Sequence, residues 1–274
     1  MTTEAILLVG RGAARTRTVL KTHAERLEHR TGTTVRVTTY EHEPVCELRD
    51  ALARIDAGRV YAVPVRLAHT YETLEDLPAA LSTLAGGVRY CEPIGRSPAL
   101  TDLVVERATA LQPAAADVSL VLVGFGSSAK PYHRQMAAYH AARLDEGSDF
   151  GEVLACYLHQ NPTVECVRYT IENDAAVAVP LFLTHTAATT EAIPAKLELD
   201  RGGIAYAEPF GDHPRVTDAI HAEVAKQRAL AGDGRRNAPS GTFETRLTET
   251  RRPVATDGEG LAESLLRNVA NSSR

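Results

Sequence analysis

Short apolar runs that end in glycine alternate along this chain with longer stretches whose apolar residues recur every three or four positions. The first kind includes ILLVG (Ile6–Gly10) and LVLVG (Leu120–Gly124). Each is followed by a segment of helical period, TRTVLKTHAERLEHR from Thr16 and YHRQMAAYHAARL from Tyr132. Second strands are predicted at TVRVTTYE and EVLACYL, followed by helices opening near Pro44 and Pro162, since proline is tolerated in a first helical turn. The third strands, RVYAVPVRL and AVAVPLFL, are apolar almost throughout, as strands covered on both faces should be. Helices entered near Pro78 and Pro194 lead to fourth strands at VRYCEP and IAYAEP. Last helices are predicted from about Thr101 and Thr217, which puts Asp102 and Asp218 in the first turn, where the helix dipole favours an anion.

These elements occur twice in the same order. Gly10-Arg11-Gly12 answers Gly124-Phe125-Gly126, and EHEPVCELRDAL answers HQNPTVECVRYTI. Pro64 and Pro180 stand 116 residues apart, as do Pro93 and Pro209. The chain is therefore read as two homologous halves, 1–115 and 116–230. Strands alternating with helices predict βαβ units and an α/β fold with a parallel sheet in each half. Ligands of such sheets bind beyond the carboxyl ends of the strands, so the two halves are expected to face a shared cleft. Residues 231–274 break the pattern: they are polar, aperiodic and rich in Gly, Pro, Thr and Arg. They are expected to form a mobile tail with room for one short helix at GLAESLLRNVA.

Composition narrows the class. The 274 residues carry a net charge of −5 and no long basic run, which argues against a nucleic-acid partner. No apolar run approaches a membrane span, and the start lacks the pattern of a secretory signal. Cys46, Cys91, Cys156 and Cys166 fit neither a zinc knuckle nor a disulfide framework, so reduced thiols in a cytoplasmic protein are expected.

Candidate chemistry gathers at two kinds of turn. Gly10, Gly12, Gly124 and Gly126 close the first strand of each half, where backbone can approach a ligand. Neither turn has the third glycine of a dinucleotide site, and a tight β-to-α turn without a ligand fits the spacing equally well. After the third strand both halves read Leu-x-His-Thr, which places His69 and His185 where ligands bind. Imidazole is both a metal ligand and a proton acceptor; common ancestry could also keep the pair for packing. Glu72 lies close to His69 on the same loop, a hard oxygen beside an imidazole, or else an acid at a helix N-terminus. Its counterpart, Ala188, can do no chemistry. Ser127, Ser128 and Lys130 could hold a carboxylate or phosphate, His213 closes the fourth-strand loop, and His140 is expected to pack against the sheet. A hydrolase elbow is missing.

The glycine turns, Val179-Pro180-Leu181-Phe182-Leu183, the loop ending in Ile193-Pro194, and Pro209 to Ile220 together resemble the CbiX/SirB sirohydrochlorin chelatases, over about residues 4–228. The resemblance implies two flavodoxin-like lobes, each a four-stranded parallel sheet flanked by helices, around a cleft where a carboxylate-rich tetrapyrrole receives Co2+, or Fe2+ or Ni2+, without ATP. It implies no cofactor beyond that divalent metal; the charge and the apolar runs lead to no expected nucleic-acid or membrane partner. A monomer is expected, since two halves replace a homodimer. The family's histidine in the first glycine turn falls at Arg11 and Phe125, and its loop histidine falls at Glu72 and Ala188. Glu72, His69 and His185 are the candidates for base and metal delivery. Arg11, which stays protonated, is the candidate for a substrate carboxylate. Gly10, Gly12, Gly124, Phe125, Gly126, Ser127 and Ser128 complete the candidate substrate surface. The alternative is a relative that has lost catalysis and carries or senses a tetrapyrrole or metal.

Overall fold

The computed structural model describes residues 3–12 and 14–233. The first half runs β1 (Glu4–Arg11), α1 (Ala14–Thr31), β2 (Thr34–Tyr40), α2 (Pro44–Glu47), α3 (Arg49–Leu52), β3 (Arg59–Pro64), a π-turn at Glu72–Asp76, α4 (Leu77–Leu81), β4 (Gly87–Tyr90) and α5 (Pro98–Thr109). The second runs β5 (Val118–Gly124), α6 (Tyr132–Gly147), β6 (Glu152–Tyr157), α7 (Val167–Thr170), β7 (Ala175–Pro180), a π-turn at Ala188–Ala192, α8 (Ile193–Lys196), β8 (Ile204–Tyr206) and α9 (Pro214–Asp233). Every strand pair is parallel, and the two sheets share one order, β2-β1-β3-β4 and β6-β5-β7-β8. This is the α/β architecture of two four-stranded lobes expected from the alternation of apolar runs and helical stretches.

Several boundaries differ from the sequence reading. The last helix of each half begins at Pro98 and Pro214, not near Thr101 and Thr217. Proline presets the helical φ in the first turn, so Asp102 and Asp218 lie beyond that turn and instead pair with Arg215 and Arg30 at 2.9 and 2.7 Å. No helix opens at Pro162: the Pro162 carbonyl accepts the Tyr157 N–H, and helix resumes only at Val164 and Val167. The helix α9 continues through residues 231–233, which were expected to begin the tail. The rest of the expected tail, with its short helix, lies outside the described residues. No described helix is long and apolar enough to cross a membrane.

Alternate residues of β1 serve two different cores, as the period of a strand requires. Leu7 and Val9 pack with Tyr40, Leu48 and Leu81 on one face. Ile6 and Leu8 join a cluster on the other face that also takes in Leu120, Leu122, Met136, Val216 and Ile220 of the second half. Each such side chain contributes about 1.5–3 kcal/mol on burial, so the halves are held together by an apolar core in common and belong to one unit, Met1–Ala231.

Two polar ties cross that core at matching places. His23 on α1 bonds Thr217 through Nδ1 (2.9 Å) and the Gly211 carbonyl through Nε2 (3.2 Å). His140 on α6 bonds Thr101 (2.8 Å) and the Gly95 carbonyl (2.6 Å) with the same two nitrogens. A carbonyl only accepts, so Nε2 carries the proton in each ring and Nδ1 accepts from the threonine hydroxyl. His140, expected against its own sheet, thus ties one half to the other. Burial lowers both imidazoles to about 4, which keeps them neutral.

Candidate functional site

The glycine turns at the ends of β1 and β5 need glycine for a local reason. Gly12 and Gly126 have φ of +119° and +79°, where a side chain is strained. Between the glycines of each turn, one side chain is pushed outward. Arg11 donates from Nη1 to Glu72 Oε1 at 2.8 Å and from Nε to the Glu41 carbonyl at 3.3 Å. Burial alone would raise the Glu72 carboxyl, but the hydrogen bonds around it and the Arg11 and Arg66 charges lower it overall, so it stays ionised. The expected carboxylate binder and the expected base therefore neutralise each other. The Tyr40 hydroxyl is buried beside this pair without a hydrogen-bond partner among the described residues.

The matching position of the second half is built of rings. Phe125 remains 43% exposed. It meets His159 at 4.7 Å between centroids, His133 at 6.0 Å and Phe182 at 6.4 Å. Position by position, the two walls have opposite chemistry: Arg11 answers to Phe125, Arg66 to Phe182, and Glu72 to Ala188. The walls are neighbours. Burial, followed by the Arg66 charge, lowers His133 below the ordinary imidazole value, and the same Arg66 charge bears on Glu72. At its centre the candidate site is thus a polar face of Arg11, Arg66 and Glu72 near an aromatic face of Phe125, Phe182 and His133.

His69 and His185 are placed alike but away from such a cluster. Nε2 of His69 lies 2.7 Å from Glu92, and Nε2 of His185 lies 2.9 Å from Glu208. The bond from His69 is the main cause holding the Glu92 carboxyl below its usual range. Tyr90 and Tyr206 donate to the Thr73 and Thr189 carbonyls behind these loops, at 2.8 and 3.0 Å. The expected metal set of His69, Glu72 and His185 is not preassembled: each has taken its own partner, in Glu92, Arg11 and Glu208. Among the described residues no group of three or more His, Cys, Asp or Glu is placed to hold a metal ion. Ser127 closes its own turn by accepting the Ala129 and Lys130 N–H groups, while Ser128 is exposed. His213 pairs with Glu106 at 3.4 Å.

Sequence reasoning passed over Arg66, Phe182, Glu92 and Glu208, although aligning the halves residue by residue puts them in register. The approach of Arg66 to His133 left no such signal, because it depends on how the lobes pack.

The CbiX family model matches twice, over residues 5–111 and 119–227. A probable sirohydrochlorin cobaltochelatase of Halobacterium salinarum is 25% identical over 240 residues, covering 73% of this chain and 82% of that protein. A sirohydrochlorin cobaltochelatase of Methanopyrus kandleri is 32% identical over 132 residues, which is 38% of this chain and 92% of the relative. Among solved structures, SirB from Bacillus subtilis with Fe3+ superposes with a TM-score of 0.71 at 21% identity, covering 84% of this chain and 98% of that one. CbiX, the terminal enzyme of sirohaem biosynthesis in denitrifying bacteria, superposes with a TM-score of 0.65 at 23% identity, over 81% and 98% of the two chains.

Proposed function

Because this chain belongs to the CbiX family, matched in each of its halves, we propose that it inserts a divalent metal, Co2+ in the first instance, into sirohydrochlorin or a closely related tetrapyrrole. The observation that carries this reading is the contrast between the two walls. A flat ring rimmed with acid groups suits an aromatic face on one side and guanidinium groups on the other. Phe125 and Phe182 offer ring faces and edges for stacking, and Arg11 and Arg66 offer bidentate donors for carboxylates.

The reaction exchanges one M2+ for the two protons on the pyrrole nitrogens, so the site needs two places for protons. His133 is neutral at pH 7 and stands at the rim of Phe125; its imidazole takes one. Glu72 is silenced by Arg11 until a substrate carboxylate draws the guanidinium away. Deprived of its partner, the partly buried carboxylate gains basicity and takes the second proton. The His185–Glu208 pair, whose carboxylate orients its imidazole, would meet the incoming metal at the strand ends, and His69 would join it on releasing Glu92 or Thr73, which hold its two ring nitrogens at 2.7 and 3.3 Å. The chain acts without ATP, as a cytoplasmic monomer whose halves supply both walls.

The Arg11–Glu72 ion pair, standing where the family's two histidines fall, also favours a second reading: a relative that binds the ring or metal and carries or senses it. Absorbance of sirohydrochlorin mixed with Co2+ and the protein, without ATP, separates the two. Insertion faster than the uncatalysed rate supports the enzyme. Tight ring binding at the uncatalysed rate supports the carrier, and neither binding nor insertion defeats both.

A further inference from the structure

Behind the cleft wall lies a cavity of about 550 Å³ bounded by the His69 loop, the start of α5 and helices α6 and α9. It is distinct from the Arg11–Glu72 site but shares that wall. Tyr132 lines the cavity and meets His69 at 5.4 Å, while its neighbour His133 meets Phe125.

The fold does not require this space. Residues 116 apart occupy equivalent places in the two halves, so the cavity has a counterpart beside His185. In the cavity stand Ser97, Ala219 and Ala222; at the corresponding positions of the counterpart stand His213, Leu103 and Glu106. Leu103 is fully buried. Glu106 is clamped by Arg215 at 2.5 Å and met by His213 at 3.4 Å. One groove is therefore filled by large side chains and an ion network, and the other is left open by small ones. Its size is in the range of small-molecule pockets, roughly 300–1,000 Å³.

Of the charges lining the cavity, Arg96 is the one available to an anion. Its carboxylates are already engaged: Glu92 by His69, and Glu223 by the Glu92 N–H and by Lys226. Arg96 lies over the Tyr139 ring at 5.6 Å, with Arg143 over the same ring at 5.5 Å. Neither guanidinium has a carboxylate partner among the described residues. The remaining walls, from Leu67 and Ile94 to Met136, are apolar.

We propose that this cavity is a second ligand site, adjoining the chelation cleft at the His69–Glu92 pair but distinct from the Arg11–Glu72 centre, for a small molecule with a flat apolar body and an oxyanion group held by Arg96. Occupancy would brace Tyr132 and the His69 loop from behind.

The probe is 8-anilinonaphthalene-1-sulfonate, a flat apolar body with one anionic group, followed by its fluorescence on binding. Its uncharged relative N-phenyl-1-naphthylamine serves as the comparison. The expected result is one saturable sulfonate site per chain, which Ala219→Leu with Ser97→His weakens at least about tenfold by restoring the filled groove. Arg96→Gln is expected to weaken the sulfonate about tenfold and leave the uncharged dye within twofold, as loss of one charge-assisted bond implies. Unfolding curves identify any variant that fails to fold, and the surface change Arg96→Gln keeps the test open in that case. Equal binding by wild type and the filled variant, no saturable site at all, or equal loss of both dyes in Arg96→Gln would overturn the proposal. Co2+ insertion, measured without dye, stays at the wild-type rate in Arg96→Gln whichever way the dye experiment falls, so the two readings stand or fall separately.

Discussion

At the residue scale, the proposed function turns on two positions. Where the family's histidines fall, Arg11 and Glu72 form an ion pair that is open to solvent on the arginine side. Exposed pairs of this kind add little to stability; in the proposed function the pair acts as a gate on the carboxylate. Arg11→Ala is expected to raise KM for the tetrapyrrole about tenfold and change kcat far less, because it removes a binding contact and frees Glu72 at once; steady-state absorbance kinetics gives both constants. A pH profile tests His133. Its pKa is lowered, mainly by burial, so the base form persists below the ordinary imidazole range. The insertion rate should hold from pH 8 down to about 6.5 and fall only below that, and His133→Gln should lower the plateau and remove this limb. An unchanged profile in that variant would remove His133 from the chemistry. The candidates His69, His185, Glu72 and Arg11 were visible in the sequence because they sit at motif positions. Their partners were not: nothing local links Arg11 to Glu72 across 61 residues, and the repeat shows only that Glu92 and Glu208 correspond, not that they reach back to the histidines.

At the scale of elements, strands were the most legible part, since apolar runs closed by glycine leave few alternatives. Helix starts were less so. Proline at Pro98 and Pro214 outweighed the Thr-Asp pairs as the first-turn signal, which freed Thr101 and Thr217 to meet His140 and His23. Those two ties carry a pH signature. Each imidazole falls from 6.5 in the unfolded chain to about 4 in the fold. The unfolded state therefore binds more protons between those values, and stability is complete above pH 6.5 and lost as pH falls toward 4. Each shift amounts to about 3 kcal/mol at most, and the two together to about 6 at most. Arg26 lowers and Asp212 raises His23, and Arg143 lowers His140, each with less influence than burial. Urea denaturation between pH 7 and 4.5 should show this decline, and His23→Ala with His140→Ala should be less stable at pH 7 by about 2–4 kcal/mol and flatter with pH. An equally steep decline in the double variant would place the titration elsewhere.

At the scale of the molecule, the duplication was written plainly in the sequence, because landmarks recur in order at near-constant spacing. That the halves share an apolar core was not legible, since periodicity identifies a buried face without naming what covers it. The same holds for the divergence of the walls: Arg11 and Phe125 can be read side by side in the chain, but only packing brings Arg66 toward His133. Duplication followed by divergence has left one charged face and one aromatic face, and the proposed function gives ring stacking to the second. Phe125→Ala should accordingly weaken tetrapyrrole binding several-fold, as loss of an aromatic contact implies, with the metal-insertion step at saturation altered less; fluorescence titration of the metal-free ring gives the affinity. The most direct test of the whole account is the initial rate of Co2+ insertion into saturating sirohydrochlorin by the double variant Glu72→Gln, His133→Gln. The account predicts that the variant binds the ring while its rate falls to the uncatalysed level. A rate like that of the unaltered protein would contradict it, because the pyrrole protons would then leave by a route that does not pass through this cleft.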